Sequence, residues 1–297
     1  MFQRMTQPAR TVYRAAVRPE TYSGHLREAT STAVTVALWP LGVVDRGLSE
    51  LRRIAAAADG SQVATPVLLV HGYGANKSNW LFVKRYLRQA GFERVHALNY
   101  NPLTADIPAL AEQCAERAEE VRAHFGTDRI HVIGHSLGGI IARYAVQVHG
   151  LRDVGVCVTV ASPHGGVRMA RHGSPIATLS PFASGVQLRP DSSVMTLLRH
   201  SAQPGPTRYV AYYSNLDLIV AAKRAMILEP ELEATNILVK DTGHLSIMLS
   251  RRLSSSIVDQ LGASEGLPGY GAPVRAMAPL LTADGSTLPG HADAALG

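Results

Sequence analysis

The sequence predicts an α/β domain: a mostly parallel central sheet with helices on both faces. Three observations carry that expectation. From Pro66 onward, short apolar runs alternate with segments of helical periodicity, and strands apolar on both faces, each followed by a helix, belong to a sheet covered on both sides. Gly134-His135-Ser136-Leu137-Gly138 stands where one such run meets one such helix, a junction that needs a very sharp turn. Hydrophobic residues make up 46% of the 297, enough for a real core.

The elements follow in order. Residues 1–60 read as an Ala- and Arg-containing helical extension, closed by the turn-rich Asp59-Gly60-Ser61-Gln62. Val67–Val70 is the first buried strand. Asn76–Ala90 carries Trp80, Phe82, Val83, Tyr86 and Leu87 at helical spacing and stops at Gly91. Arg94–Tyr100 is the second strand and Asp106–Phe125 a charged amphipathic helix ending at Gly126. Ile130–Gly134 is the third strand, Leu137–His149 a buried helix, and Val154–Ala161 a Val-rich fourth strand. Arg208–Ser214 and Asn236–Val239 are the fifth and sixth strands, and Leu245–Leu261 is the last helix. Residues 162–206 lack periodicity and hold six prolines; a stretch this long inside a compact domain reads as a cap or a pocket wall. From Gly262 on, periodicity is lost, so 61–262 is expected to be the domain and 263–297 a disordered tail.

Composition excludes several functions. The net charge is +6, but the cations are mostly Arg spread thinly, with Lys only at 77, 84, 223 and 240; no basic stripe interleaved with aromatics suggests nucleic acid. Cys114 and Cys157 read as buried free thiols, with a disulfide open as the alternative, and no Cys/His spacing suggests zinc. No cofactor and no metal are expected. Residues 1–18 carry Arg4, Arg10, Arg14 and Arg18 and no acid, and the apolar run Thr32–Val44 is interrupted by Pro40. That run is too short to span a bilayer, for which about 20 residues are needed. Residues 1–60 therefore read as a helix packed on the domain, or as a peripheral contact with an anionic membrane surface. No secretory signal is read, and a cytoplasmic location is expected. The oligomeric state is not legible.

The chemistry centres on Ser136. A serine hydroxyl becomes a nucleophile only beside a base, and the base needs an orienting acid. In a parallel sheet, functional groups gather past the carboxyl ends of the strands. Ser136, Asp217 and His244 all fall there, in the order nucleophile, acid, base. Asp217 also reads as a helix N-cap; Asp241 and Asp191 are rival acids. Of the other histidines, His135 is expected to point away from the nucleophile and His71 to be structural. An oxyanion hole is expected from the backbone N–H groups of Leu137, next to the nucleophile, and Tyr73, in the Gly-containing loop His71-Gly72-Tyr73-Gly74.

Three segments carry a resemblance. Val70-His71-Gly72-Tyr73-Gly74, Gly134-His135-Ser136-Leu137-Gly138-Gly139 and Ala161-Ser162-Pro163-His164-Gly165-Gly166 resemble, in order and spacing, the motifs of bacterial triacylglycerol lipases and esterases of the α/β-hydrolase superfamily. The resemblance spans roughly residues 65–262. It implies an α/β-hydrolase fold and a serine ester hydrolase acting on lipid-like acyl esters, with an acyltransferase or thioesterase using the same residues as the alternative. Some relatives hold structural metals; His164 and His172 lack a matching carboxylate set and read as polar loop residues.

Overall fold

The computed structural model describes residues 19–43, 65–167, 183–270 and 295–296. Its centre is a parallel sheet. Strands β1 (Val67–Val70), β2 (Val95–Leu98), β3 (Ile130–His135), β4 (Val154–Val160), β5 (Arg208–Ser214) and β6 (Thr235–Val239) lie in the order β2-β1-β3-β4-β5-β6. The two residues of β7 (Ala295–Leu296) extend the sheet beyond β6. Each described pairing is parallel. The chain runs outward from β1 to β2 and then crosses back to β3, so the order reverses between β1 and β3. Such switch points are where open α/β sheets bind ligands.

The helices are α1 (Pro19–Leu38), α2 (Leu81–Gln89), α3 (Ile107–Phe125), α4 (Leu137–Gln147), α5 (Ala183–Gln187), α6 (Ser193–His200), α7 (Ala222–Ala225) and α8 (Arg251–Ser264). Alternation along the strands builds two cores. Leu68, Val70, Ile130 and Val132 pack with Ile107, Leu110, Ile140 and Ile141 of α3 and α4. Val67, Leu69 and Ile133 pack on the opposite face with Val83 and Leu87 of α2 and Leu253, Ile257 and Leu261 of α8. Burying one such side chain is worth about 1.5–3 kcal/mol, and the residues named from β1 and β3 are all fully buried. Both cysteines are free and buried, and burial pushes each thiol up to about 12.

Ends of elements follow local chemistry. The Asp106 carboxylate accepts the Ala109 N–H at 2.9 Å to start α3, and Gly126, at φ 62°, closes it. Two expected helices divide. The 76–90 helix begins as a 3-10 turn, Lys77–Trp80, capped by Asn76, before α2 takes over. The 245–261 helix is a 3-10 turn, Ser246–Leu249, then an extended Ser250 whose hydroxyl caps α8. The region 162–206 is less bare than expected: α5 and α6 lie within it, and the Ser192 hydroxyl caps α6 by accepting the Met195 N–H at 3.1 Å. Residues 168–182 lie outside the described ones. At the C-terminus, Leu267 and Tyr270 pack on the core beyond α8; most of the expected tail, 271–294, lies outside the described residues.

Of the expected helical extension 1–60, residues 19–43 are described, as α1 followed by a 3-10 turn, Trp39–Gly42, while 1–18 and 44–60 lie outside the described residues. The described part packs on the domain near Ser246–Leu249 and near Lys77–Trp80. No helix among the described residues is long and apolar enough to cross a membrane.

Candidate active site

The strand ends align on one rim: Val70 is in register with Gly134, His135 with Val160, Val160 with Tyr212, and Ser214 with Val239. The loops leaving β1, β3, β5 and β6 therefore meet there.

Ser136 occupies the turn between β3 and α4 with φ 53° and ψ −120°, a backbone region that costs a non-glycine residue on the order of 1–3 kcal/mol. The surrounding structure holds it there. A Cβ at Gly134 would lie 2.4 Å from the backbone of Gly138, and one at Gly138 would lie 2.1 Å from the Val70 carbonyl oxygen. Strand and helix thus touch at two glycines, and the Ser136 side chain is turned out over the rim.

His244 comes from the loop between β6 and α8. Its Nε2 lies 3.0 Å from Ser136 Oγ and its Nδ1 lies 2.8 Å from Asp217 Oδ2. The Asp217 side chain is 1% exposed. Its other oxygen, Oδ1, accepts the N–H groups of Ile219 and Val220, each at 2.8 Å. The N-cap reading does not hold, since α7 starts at Ala222 after Ala221; one oxygen holds the bend that follows Asp217 while the other faces the imidazole. Asp241, at φ 58°, turns the loop, and its N–H is held by Asn215 Oδ1; Asp191 pairs with Arg189 on the surface. The imidazole thus stands between a carboxylate at Nδ1 and a hydroxyl at Nε2. That is the arrangement a hydroxyl nucleophile requires.

The loop after β1 covers the serine. A Cβ on Gly72 would lie 3.0 Å from Ser136 Cβ, and Gly74 bends the chain at φ 67°. This brings the Tyr73 segment against the start of α4, where Leu137 is the first residue. His71 supports the loop as a neutral ring. It stacks on Tyr100 with centroids 4.1 Å apart, receives the Tyr100 N–H at Nε2 and bonds the Gly72 carbonyl through Nδ1. Burial pulls its pKa down to about 4.

Sequence reasoning missed three contributors. His135 turns beneath the loop of His244, with Nε2 bonded to the His244 carbonyl at 3.1 Å and Nδ1 to Asn79 at 3.2 Å. Burial first, and then the neighbouring His244, bring it down to about 3, so it stays neutral. His164 lies in the loop after β4, and there it is buried. It lies between Thr159 Oγ1 at 2.9 Å and Arg143 Nη1 at 3.1 Å, and burial holds its pKa well below the usual value. Arg143, fully buried, also pairs with Glu229 at 3.3 Å. Two-residue spacing from Ser162 and the neighbouring Gly-Gly gave no sign of this network. His172 lies outside the described residues. Third, a cavity of about 540 Å³ opens beside the β1 loop, lined not by Ser136, Asp217 or His244 but by Gly74, Tyr100, Leu103 and three asparagines, 76, 99 and 101, on the domain and by Trp39 and Val43 from the N-terminal extension.

Residues 67–230 match the alpha/beta hydrolase family. A triacylglycerol lipase from Burkholderia plantarii is 30% identical over 152 residues, which cover 48% of this chain and 42% of the lipase. The dihydrolipoyllysine-residue acetyltransferase component of an acetoin-cleaving system from Pseudomonas putida is 32% identical over 87 residues, 28% of this chain and 23% of that protein. The chain thus spans less than half the length of either relative. Among solved structures, lipase B of Aspergillus fumigatus superposes with a TM-score of 0.58 at 20% identity, covering 67% of this chain and 52% of that one. The mature form of a Bacillus licheniformis lipase gives 0.52 at 19% identity, covering 62% and 86%. At such identities these are likenesses of fold.

Proposed function

We propose, on the premise that this chain belongs to the alpha/beta hydrolase family, that it is a cofactor-independent serine ester hydrolase of the lipase or esterase type. The observation that carries the reading is the continuous line Ser136 Oγ, His244, Asp217, bonded at 3.0 and 2.8 Å. In this reading, Ser136 attacks the ester carbonyl carbon while His244 Nε2 takes its proton. The carbonyl electrons collect on an oxyanion facing the N–H groups of Tyr73 and Leu137. His244 then protonates the departing alkoxide, leaving an acyl-enzyme and a free alcohol. Water, deprotonated by His244, cleaves the acyl-enzyme to the carboxylic acid and returns Ser136. Asp217 holds the imidazole in its Nδ1–H tautomer and stabilises its cation throughout.

The substrate we assign is a lipid-like carboxylic ester. The apolar cavity beside the β1 loop supports an apolar acyl or alcohol portion, and the Burkholderia relative is a triacylglycerol lipase. The test is the pure protein on a chain-length series of p-nitrophenyl esters, with Ser136→Ala as the control. The variant is expected to fold normally, lose essentially all turnover and fail to react with a fluorophosphonate probe; turnover near that of the unmodified protein would sink the reading. The name of the Pseudomonas relative favours a second reading, acyl transfer. Partition of a preformed acyl-enzyme between water and added alcohol or thiol separates the two. We also propose peripheral membrane contact through residues 1–60, supported by the exposed apolar side chains of Leu26, Val36, Trp39, Leu41 and Val43. Flotation with anionic liposomes, expected to fail once these positions are made polar, tests it.

A further inference from the structure

The N-terminal helix reaches the loop that carries His244. Glu28, on α1, sends its carboxylate between two consecutive amides: Oε1 accepts the Leu245 N–H at 2.7 Å and Oε2 accepts the Ser246 N–H at 2.9 Å. These are the two residues immediately after His244. The seat is shaped for this carboxylate. A Cβ on Gly243 would lie 2.3 Å from Glu28 Oε2, and the backbone at Gly243 is not in the left-handed region. Glycine is there for space, not for conformation. On the other side, the His244 carbonyl is held by His135 Nε2. The backbone of His244 is thus gripped from the sheet by His135 and from outside the domain by Glu28.

The same segment braces the loop that covers Ser136. Trp39 Nε1 donates to the Gly74 carbonyl at 3.2 Å. Asn76 Nδ2 donates to the Trp39 carbonyl at 2.8 Å, and Asn99 Nδ2 to the Gly42 carbonyl at 2.7 Å. One helix and its terminal turn therefore tie the base loop to the β1 loop across the site.

We propose that Glu28 is a positioning residue for His244, and that α1 is a working part of the site. The inference rests on the reading of Ser136, Asp217 and His244 given above and deepens it. A carboxylate suits the task because it presents two acceptors to two adjacent N–H groups, bonds that are charge-assisted and directional. An amide in its place turns one NH2 toward a backbone N–H, and the loop must shift. Misplacing a catalytic group by about 1 Å is enough to cost on the order of 100-fold in rate.

Two variants test this from opposite sides. Glu28→Gln changes the carboxylate and keeps its shape. Gly243→Ala leaves Glu28 intact and evicts its carboxylate, a flexible side-chain end that moves readily. Each is expected to lower kcat on a soluble p-nitrophenyl ester by roughly 10–100-fold with KM within twofold. The double variant is expected to be no worse than the more damaged single one, because both remove one interaction. The NMR signal of the His244 Nδ1 proton, hydrogen-bonded to Asp217, is expected to broaden or shift in both. Folded Glu28→Gln with unchanged kcat and an unchanged Nδ1 proton overturns the proposal, as does a double variant whose losses multiply. Should the unmodified protein neither turn over esters nor label at Ser136, the hydrolase reading fails by itself. The Nδ1 proton then still decides whether Glu28 holds the imidazole.

Discussion

Replacing Asp217 by Asn tests the site at its least exposed member. The substitution is nearly isosteric, so the outcome depends on which way the amide turns, and the structure decides that. Asp217 Oδ1 receives two backbone N–H groups, from Ile219 and Val220, each at 2.8 Å. An NH2 turned toward them would face two donors and leave both unsatisfied, at about 1–3 kcal/mol each. The carbonyl oxygen of the new amide therefore takes that place, and its NH2 points at His244 Nδ1, 2.8 Å from the carboxylate in the unmodified protein. The imidazole must then accept at Nδ1 and carry its proton on Nε2, facing Ser136 Oγ, where it cannot act as a base. Loss of the correct tautomer in an analogous triad costs about 10,000-fold in kcat, which corresponds to about 5 kcal/mol of barrier. Because both backbone bonds from Ile219 and Val220 are kept, the melting temperature should stay within a few degrees. The assay is kcat/KM on a p-nitrophenyl ester beside a thermal melt, with Asp241→Asn as comparison. An Asp217→Asn protein that retains more than a tenth of the rate, or loses less than Asp241→Asn, refutes the assignment.

Gly138→Ala forces a Cβ to within 2.1 Å of the Val70 carbonyl oxygen and 2.4 Å of that of His71, backbone that cannot step aside. It should cost about 3 kcal/mol or more and lower the melting temperature by roughly 6–12 °C, whereas Gly205→Ala, with nothing within 4 Å, should melt near the unmodified protein. Arg143→Ala strands Glu229 and His164 in a buried network and should cost about 3–5 kcal/mol in urea denaturation; a midpoint shift equivalent to under about 1 kcal/mol would contradict that cost. Burial holds His71 at about 4, His135 at about 3 and His164 well below its ordinary value, while in the unfolded chain each titrates near about 6.5. Above that pH both states leave the rings neutral. Below it only the unfolded chain takes up protons, so stability falls with acid, by up to about 1.4 kcal/mol per pH unit for each ring between about pH 6 and pH 4.5. Urea midpoints measured from about pH 7.5 to about pH 5 check this, and an unchanged midpoint at constant m-value would refute it.

Much of the architecture is legible along the chain because it is local. β1 and β5 carry apolar residues over most of their length, and the turn from Ile133 through Gly138 announces itself by its two glycines. Helix boundaries were harder. The break at Ser250 is invisible in a hydrophobic pattern that continues from Ile247 to Leu261, since it is a hydroxyl cap and not a change of period that separates the turn from α8. The helix α6 hid among prolines, although Ser192 followed by Val194, Met195 and Leu198 carries a cap and an apolar face. His135 is expected to point away from the nucleophile because a sharp turn sends successive side chains in different directions; that its ring reaches the His244 carbonyl, 109 residues on, has no counterpart in the spacing.

By itself the sequence determined that this chain builds a parallel sheet covered by helices, that Ser136 stands on a strained turn at its rim, and that acids and histidines follow on later strand ends. Those properties depend on residues close together in the chain, where periodicity and steric limits act. Only the tertiary structure decided that Asp217, not Asp241, meets the imidazole, that His135 and His164 are neutral struts, and that Glu28 grips a loop 217 residues away. A hydrogen bond depends on position and angle at a few ångströms. For residues so far apart in the chain, those are set by how the layers pack and leave no trace in spacing.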